Sequence, residues 1–338
     1  MTLRLGFAVV LAIVLMAGTG QALVLKIATI SPEGSVWMQK MREGATKVKE
    51  KTDGRVAFKF YPGGVMGNDK AVLRKIRAGQ LQGGALTSGS IARFFPDSQI
   101  YTLPLKFRSL AEVDHVRAKL DSVIMAGLEA GGFVTFGLAE GGFAYIMSTE
   151  PVRTVSDLQG RKVWVPDNDS AALEAVRSFE ITPIPLSIAD VRTGLSTSLI
   201  NTVAIAPIGA IVLQWHTQVK YVTEIPLIYI YALMAVDKKK FARISQEDQQ
   251  TVREVMGDAF RQIDRKNRQD NVKSLAVLKE QGLSFVKPDD KGLLAWYEKA
   301  RRVPERLVEK GALSRGMFER FEAILRDYRQ AGEANHGQ

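Results

Sequence analysis

The sequence predicts an α/β protein of two lobes facing an interlobe cleft, with one long helix bridging both lobes. Three observations predict it. Short β-rich runs alternate with helical stretches, the pattern of parallel βαβ units. The alternation runs through two successive cycles, and 338 residues is a length for about two domains. Finally, Ser245–Glu280 keeps helical periodicity throughout. At 1.5 Å per residue it spans roughly 54 Å, longer than one lobe. A coiled-coil or dimer contact is the alternative use of such a helix.

The elements follow in order. Val24–Ile30 is a β-rich run, and Ser31-Pro32-Glu33-Gly34-Ser35 is a turn opening a helix over Val36–Lys51. Asp53-Gly54 breaks that helix, and Val56–Tyr61 alternates as a second strand up to Pro62-Gly63-Gly64. Asn68 caps a helix over Asp69–Ala78; Gly83–Thr87 is a third apolar run, ending in Ser88-Gly89-Ser90. A helix covers Leu110–Ala130, and Phe133–Ala139 and Ala144–Ser148 read as strands on either side of a glycine turn. The second cycle has Ser156 capping a short turn, a strand Arg161–Val165 stopped by Pro166, and a helix Ser170–Phe179. Thr182–Pro185 is extended, Ser187 caps Ile188–Ser198, and Thr202–Ala206 is a buried strand. In the long helix, Ser245 with Asp248 forms an acidic variant of the capping box, and Val252, Val255, Met256, Ala259, Phe260 and Ile263 keep one apolar face.

Composition bounds the chemistry. Hydrophobic residues are 46% and charged residues 24%, ordinary for a globular chain. There is no cysteine, which excludes disulfides, zinc–thiolate sites and a thiol nucleophile. The three histidines, His115, His216 and His336, lie far apart in sequence. No cofactor and no metal is expected. The formal charge is +10, but the basic residues are scattered among acids and do not interleave with aromatics, so nucleic acid is not an expected partner.

Residues 1–22 read as a cleaved secretory signal peptide: Arg4 precedes the apolar run Leu5–Met16, and Gly20-Gln21-Ala22 fits a signal-peptidase site. The expected location is the periplasm. The first lobe is placed at 23–148 with about 230–270, the second at 149–229 with about 271–330, and a tail at 331–338.

A search for catalytic motifs finds no G-x-S-x-G elbow, P-loop, H-E-x-x-H or G-x-G-x-x-G after a strand, so the chain is not read as an enzyme. In open α/β sheets ligands bind beyond the carboxyl ends of the strands. Here those ends carry Ser31–Gly34, Ser88–Ser90, Glu140–Gly142, Pro166–Asp169 and Ala206–Ile208.

Several stretches carry a resemblance. They are LKIATISPEGS (25–35), KTDGRVAFKFYPGGVMGNDKAVLRKIRAGQLQGG (51–84), LPLKFRSLAEVD (103–114), DLQGRKVWVPDND (157–169) and ITPIPLSIADVRTGLSTSLINTVAIAP (181–207). With them the chain resembles the periplasmic solute-binding proteins of TRAP transporters, of the dicarboxylate-binding DctP type. The resemblance implies the two-lobed periplasmic binding protein fold. It also implies a small organic solute as ligand and the TRAP membrane permease as partner. A periplasmic sensor presenting its closed form to a receptor kinase is the alternative with the same fold, and an exported α/β enzyme is the third function class. The oligomeric state is open between monomer and dimer.

The sequence departs from the family at the pocket. Many members carry K-I-R-V-P, whose Arg clamps the ligand carboxylate through a bidentate pair; here Trp164 stands at that position, in Lys162-Val163-Trp164-Val165-Pro166. A basic residue often found after G-F is Ala144, and the usual polar D-G-Q-E-N-P stretch is Asn201–Pro207. Arg161 and Arg153 are nearby, but Arg161 lacks the strand parity of residue 164. Parity puts Val163 and Val165 on the core face and Trp164 on the other, as a pocket wall. An indole suits aromatic rings, cations and aliphatic chains. The expected solute is therefore aromatic or otherwise apolar, and secondly cationic or zwitterionic, rather than a C4-dicarboxylate.

The candidate contacts begin with Glu33 and Trp37 after the first strand, then Ser88, Ser90 and Phe94. Phe143, Tyr145, Trp164 and Asn168 follow, then Ala206, Pro207, Gln214, Trp215 and Tyr231. Each has a structural alternative. Glu33 is also a helix N-terminal acid favoured by the dipole; Phe143 and Tyr145 also fit a core, Trp37 a helix–sheet contact, and Ser88 and Ser90 a turn.

Overall fold

The structure is a computed structural model describing residues 22–336, with side chains described to Glu333. The expected signal peptide lies outside the described residues, save Ala22.

The first half contains β1 (Leu23–Ala28), α1 (Val36–Lys51), β2 (Val56–Tyr61), α2 (Asp69–Arg77), β3 (Gly83–Thr87), α3 (Ser88–Ile91), a 3-10 turn Pro96–Thr102, and α4 (Leu110–Ala130). Then come β4 (Phe133–Val134), β5 (Ala139–Ser148), a 3-10 turn Val155–Leu158, β6 (Val163–Pro166), α5 (Ser170–Ser178), β7 (Pro183–Leu186), α6 (Val191–Ser196), β8 (Thr202–Ile205) and α7 (Pro207–Val212). The chain closes with β9 (Tyr221–Thr223), β10 (Ile228–Asp237), α8 (Lys238–Phe241), α9 (Gln246–Glu280), β11 (Ser284–Val286), α10 (Asp290–Ala300), α11 (Val303–Glu309) and α12 (Arg315–His336).

The strands form a sheet ordered β2-β1-β3-β10-β5-β8-β6-β7. β1 pairs parallel with β2 from Leu23↔Val56 to Ala28↔Tyr61, and β6 pairs parallel with β7. The two long strands β5 and β10 run antiparallel between these parallel ends. β10 also meets β3, while the far half of β5 meets β8 and β9. Each therefore belongs to both lobes, and the cleft opens where they cross.

At that crossing Ile230 pairs with Gly142 and Tyr231 with Glu140, which leaves Gly141 without a partner. This is a β-bulge, and Gly142 takes φ +94° to make it. The expected glycine turn between two strands is thus one continuous strand with a bulge. Ile230 lies so close that a Cβ at Gly141 would sit 2.8 Å from it.

Local rules place the helices. Ser35 and Asn68 accept hydrogen bonds from the main-chain N–H of Met38 and Ala71 and start α1 and α2. The second-cycle turn is capped by Thr154, not Ser156. Thr154 and Asp157 bond each other's main chain reciprocally, the arrangement that satisfies two orphan donors. Ser245 caps α9, yet Asp248 does not reach back to it. Its carboxylate takes Arg55 Nε at 2.9 Å and Nη2 at 2.8 Å instead, because the ion pair is charge-assisted on both sides.

The long helix does bridge the lobes. Its first half packs on α1 and β5 through Val252, Met256, Phe260 and Ile263, and its second half meets α7 and buries Leu278. The C-terminal region differs from expectation. α10 and α11 cover the second lobe against α5, but α12 returns to the first lobe and packs on α4 and the Pro96–Thr102 turn. Phe321 and Leu325 are buried there, Arg329 pairs with Glu112, and Ser314 bonds Asp97. The supposed tail is the end of this helix, which continues to His336. Among the described residues no helix is long and apolar enough to cross a membrane.

Candidate functional site

A cavity of about 440 Å³ lies between the lobes. The first lobe borders it with Ser31, Pro32, Trp37, Thr87 and Ser88, at the carboxyl ends of β1 and β3. The crossing strands add Glu140, Gly141, Ile228, Ile230 and Tyr231. The second lobe adds Trp164, Asp169, Ile205, Ile208 and Trp215, and α9 adds Asn267 and Asp270. The volume is that of a small-molecule site.

Trp164 is both a pocket wall and a core residue. It borders the cavity, and it packs with Met147, Val203, Ile205 and Ala210 in the second lobe's core. Its indole meets Trp215 edge-on at 5.1 Å and 83°, and its Nε1–H donates to the Leu186 carbonyl at 3.0 Å. The N–H is thereby used, and only carbon atoms remain for a solute. Val163 and Val165 are buried in the core, as strand parity predicts, and both also border the same cavity, which continues behind β6.

Trp37, Ser88, Trp215 and Tyr231 also border the cavity. Trp37 is steadied edge-on by Phe260 at 5.5 Å. The Tyr231 hydroxyl donates to the Ser98 carbonyl, and burial pushes its pKa up, so it stays a neutral phenol.

Other candidates are drawn elsewhere. Glu33 holds Arg42 bidentately at 2.7 and 2.6 Å, in solvent and off the cavity lining; this guanidinium lowers its pKa. Phe94 packs on Phe133 at 4.8 Å, and Phe143 on Tyr229 at 5.8 Å. Tyr145 joins the apolar cluster around Trp164. Ala206 and Pro207 start α7, so the next residue, Ile208, faces the cavity in their place. Gln214 adopts φ +58° to turn the chain into Trp215, a backbone role.

Ser90 and Asn168 are joined to each other rather than to the cavity. Asn168 Nδ2 donates to Ser90 Oγ at 2.8 Å across the cleft, and Ser90 in turn bonds Asp69. Beside them Gln99 Nε2 donates to Asp169 Oδ1 at 2.7 Å, also between lobes, while Asp169 caps α5 through Ala172 N at 2.8 Å. Gly89 lies against this carboxylate; a Cβ there would stand 2.1 Å from Oδ2. Burial raises the carboxyl pKa of Asp169 and of Asp69, and neither makes a salt bridge among the described residues.

The charge of the wall is one-sided. Among the described residues, Glu140, Asp169 and Asp270 are its only charged residues, and no Lys or Arg borders the cavity. Asp270 pairs with Lys266 at 2.6 Å, and Glu140 with Arg268. Arg117 is held by Asp121 and Asp264, each at 2.9 Å, and Arg161 by Glu150. Neither Arg117 nor Arg161 borders the cavity.

Sequence reasoning missed Asn267 and Asp270, since nothing on a charged helix marks which turn meets a cleft. Ile228 and Ile230 were hidden in an apolar run. Asp169 was legible as part of the strand end Pro166–Asp169 but not as a bond across the cleft.

Residues 27–310 match the family model of bacterial extracellular solute-binding protein family 7, DctP. A solute-binding protein of Verminephrobacter eiseniae is 27% identical over 257 residues, 73% of this chain and 74% of that protein. The 2,3-diketo-L-gulonate-binding periplasmic protein YiaO of Escherichia coli is 26% identical over 242 residues, 71% of this chain and 73% of its own. The crystal structure of a TRAP periplasmic solute-binding protein from Sulfitobacter sp. NAS-14.1 with β-D-galacturonate superposes with TM-score 0.80 at 20% identity, over 90% of this chain and 99% of that one. The chain therefore belongs to the DctP family of TRAP periplasmic solute-binding proteins, which serve solute transport rather than catalysis.

Proposed function

We propose that this protein captures an apolar or aromatic solute between its lobes and presents the closed form to a TRAP membrane permease. One observation supports the ligand class: among the described residues no basic side chain borders the cavity, whereas the indole of Trp164 does, at the position where the family resemblance puts the carboxylate-clamping arginine of many members. A buried carboxylate without a cationic partner is costly. Apolar burial contributes about 0.8 kcal/mol per CH₂, so a modest hydrocarbon offsets the missing ion pair. The relatives named for 2,3-diketo-L-gulonate and galacturonate take acids, and this cavity differs from what acids need.

A cationic or zwitterionic solute is the second reading, favoured by the acidic sign of every charged wall residue. Glu33, already paired with Arg42, no longer supports it. Export by cleavage after Ala22 belongs to the same proposal; N-terminal sequencing of the exported protein, beginning at Leu23, checks it.

The test is a thermal-shift panel of C4-dicarboxylates, sugar acids, aromatic acids, neutral aromatics and quaternary amines. A ligand at 100 times its Kd adds about 2.7 kcal/mol of stability. Stabilisation by neutral aromatic or aliphatic solutes, weakened at least tenfold in Trp164→Ala, is the expected outcome. Stabilisation by dicarboxylates or sugar acids alone would overturn the reading.

A further inference from the structure

The cavity does not stop at Trp164. It takes in both faces of β6, with Trp164 on one side and Val163 and Val165 on the other. Behind the strand it is bordered by Leu158, Phe179 and Ile181, and by Trp296, Val303 and Leu307 from α10 and α11. The one polar atom on these side chains, Trp296 Nε1, already donates to the Arg153 carbonyl at 3.2 Å.

The reason for the space is visible in α5. Its wall residues are the small Ala171, Ala172 and Ala175, with one methyl each, and Val176, where leucines would fill the gap. An apolar chamber with no unsatisfied polar group stays dry when empty and prefers hydrocarbon to water. The cleft side of the same cavity carries Ser31, Ser88 and Asn267, which can hydrogen-bond a head group.

We propose that this annexe of the second lobe receives the hydrocarbon tail of an elongated solute whose neutral or cationic head stays in the cleft. The proposal rests on the apolar-solute reading above and narrows it to a chain-bearing amphiphile.

The test is calorimetric titration of the mature protein with n-alkanols from butanol to decanol and with the carboxylates of equal length. The Kd of the alkanols is expected to fall about fourfold per added methylene until the annexe is full. The carboxylates are expected to bind more weakly at each length. Ala175→Phe fills the annexe, and there the chain-length dependence is expected to end early; benzyl alcohol, short enough to sit in the cleft of the unaltered protein, is the reference ligand. A Kd flat along the alkanol series of the unaltered protein overturns the annexe, whatever the variant does. If benzyl alcohol binds and chain length has no effect, the annexe alone fails. If only short dicarboxylates bind, the apolar-solute reading fails with it.

Discussion

At position 164 the wall of the cavity is an indole. An arginine there would direct two donors at a carboxylate; the tryptophan spends its single N–H on Leu186 and offers carbon. The neighbouring carboxylate of Asp169 invites a sharper test. Burial raises its pKa, so the folded state holds its proton more tightly than the unfolded chain does. Its contribution to stability is complete below the ordinary carboxylate range. It is lost as pH rises through the raised folded-state pKa. Asp169→Asn keeps the helix cap and the acceptor for Gln99 without a charge. The variant is expected to match the parent in Tm near pH 3 and to exceed it near pH 7. Melting curves across that range check this, and a lower Tm for Asp169→Asn at pH 7 would contradict it.

At the scale of elements, the turn into α3 and the turn into α5 meet across the cleft. Gly89 is the point of closest approach, and Ser90–Asn168 and Gln99–Asp169 are the bonds that fasten it. Gly89→Ala is expected to hold the lobes apart, because its Cβ would overlap the Asp169 carboxylate. The chain has no cysteine, so spin labels on Val65→Cys and Leu199→Cys, both exposed and on opposite lobes, report the separation cleanly. The unaltered pair is expected to populate a short distance that Gly89→Ala loses; identical distributions would mean this seam does not hold the lobes. Such pairings are silent in sequence. Asn68 and Ser245 were legible as caps because a cap acts within one turn of its own chain. Asn168 and Ser90 are 78 residues apart, and each alone reads as a polar loop residue. The bulge at Gly141 was hidden for a similar reason: a glycine pair marks a kink, and the opposing Ile230 decides that it is a bulge and not a turn.

For the whole molecule, β5, β10 and α9 each pass through both lobes, so closing the cleft must flex these three and leave the lobes intact. α12 matters to this whole although it lies beyond the residues matched by the family model. It buries Met317, Phe321, Ile324 and Leu325 against the first lobe. Ending the chain after Ser314 would expose that apolar face. The shortened protein is expected to lose at least 10 °C of Tm or to aggregate, as differential scanning calorimetry and light scattering would show; an unchanged melting curve would refute the assignment.

What the sequence determined by itself is what acts over short distances. Periodicity set the strands and helices, local side chains set the caps, and glycine and proline set the breaks. Trp37, Ser88, Trp164, Trp215 and Tyr231 were legible because strand ends and apolar flanks point to a cleft. The tertiary structure alone decided which charges were already spent, as Glu33 is on Arg42 and Asp270 on Lys266. It alone placed α12 on the first lobe and opened the cavity behind β6. The physical reason is common to all three: ion-pair partners, packing faces and empty space are relations between segments distant in the chain, and periodicity carries no record of them.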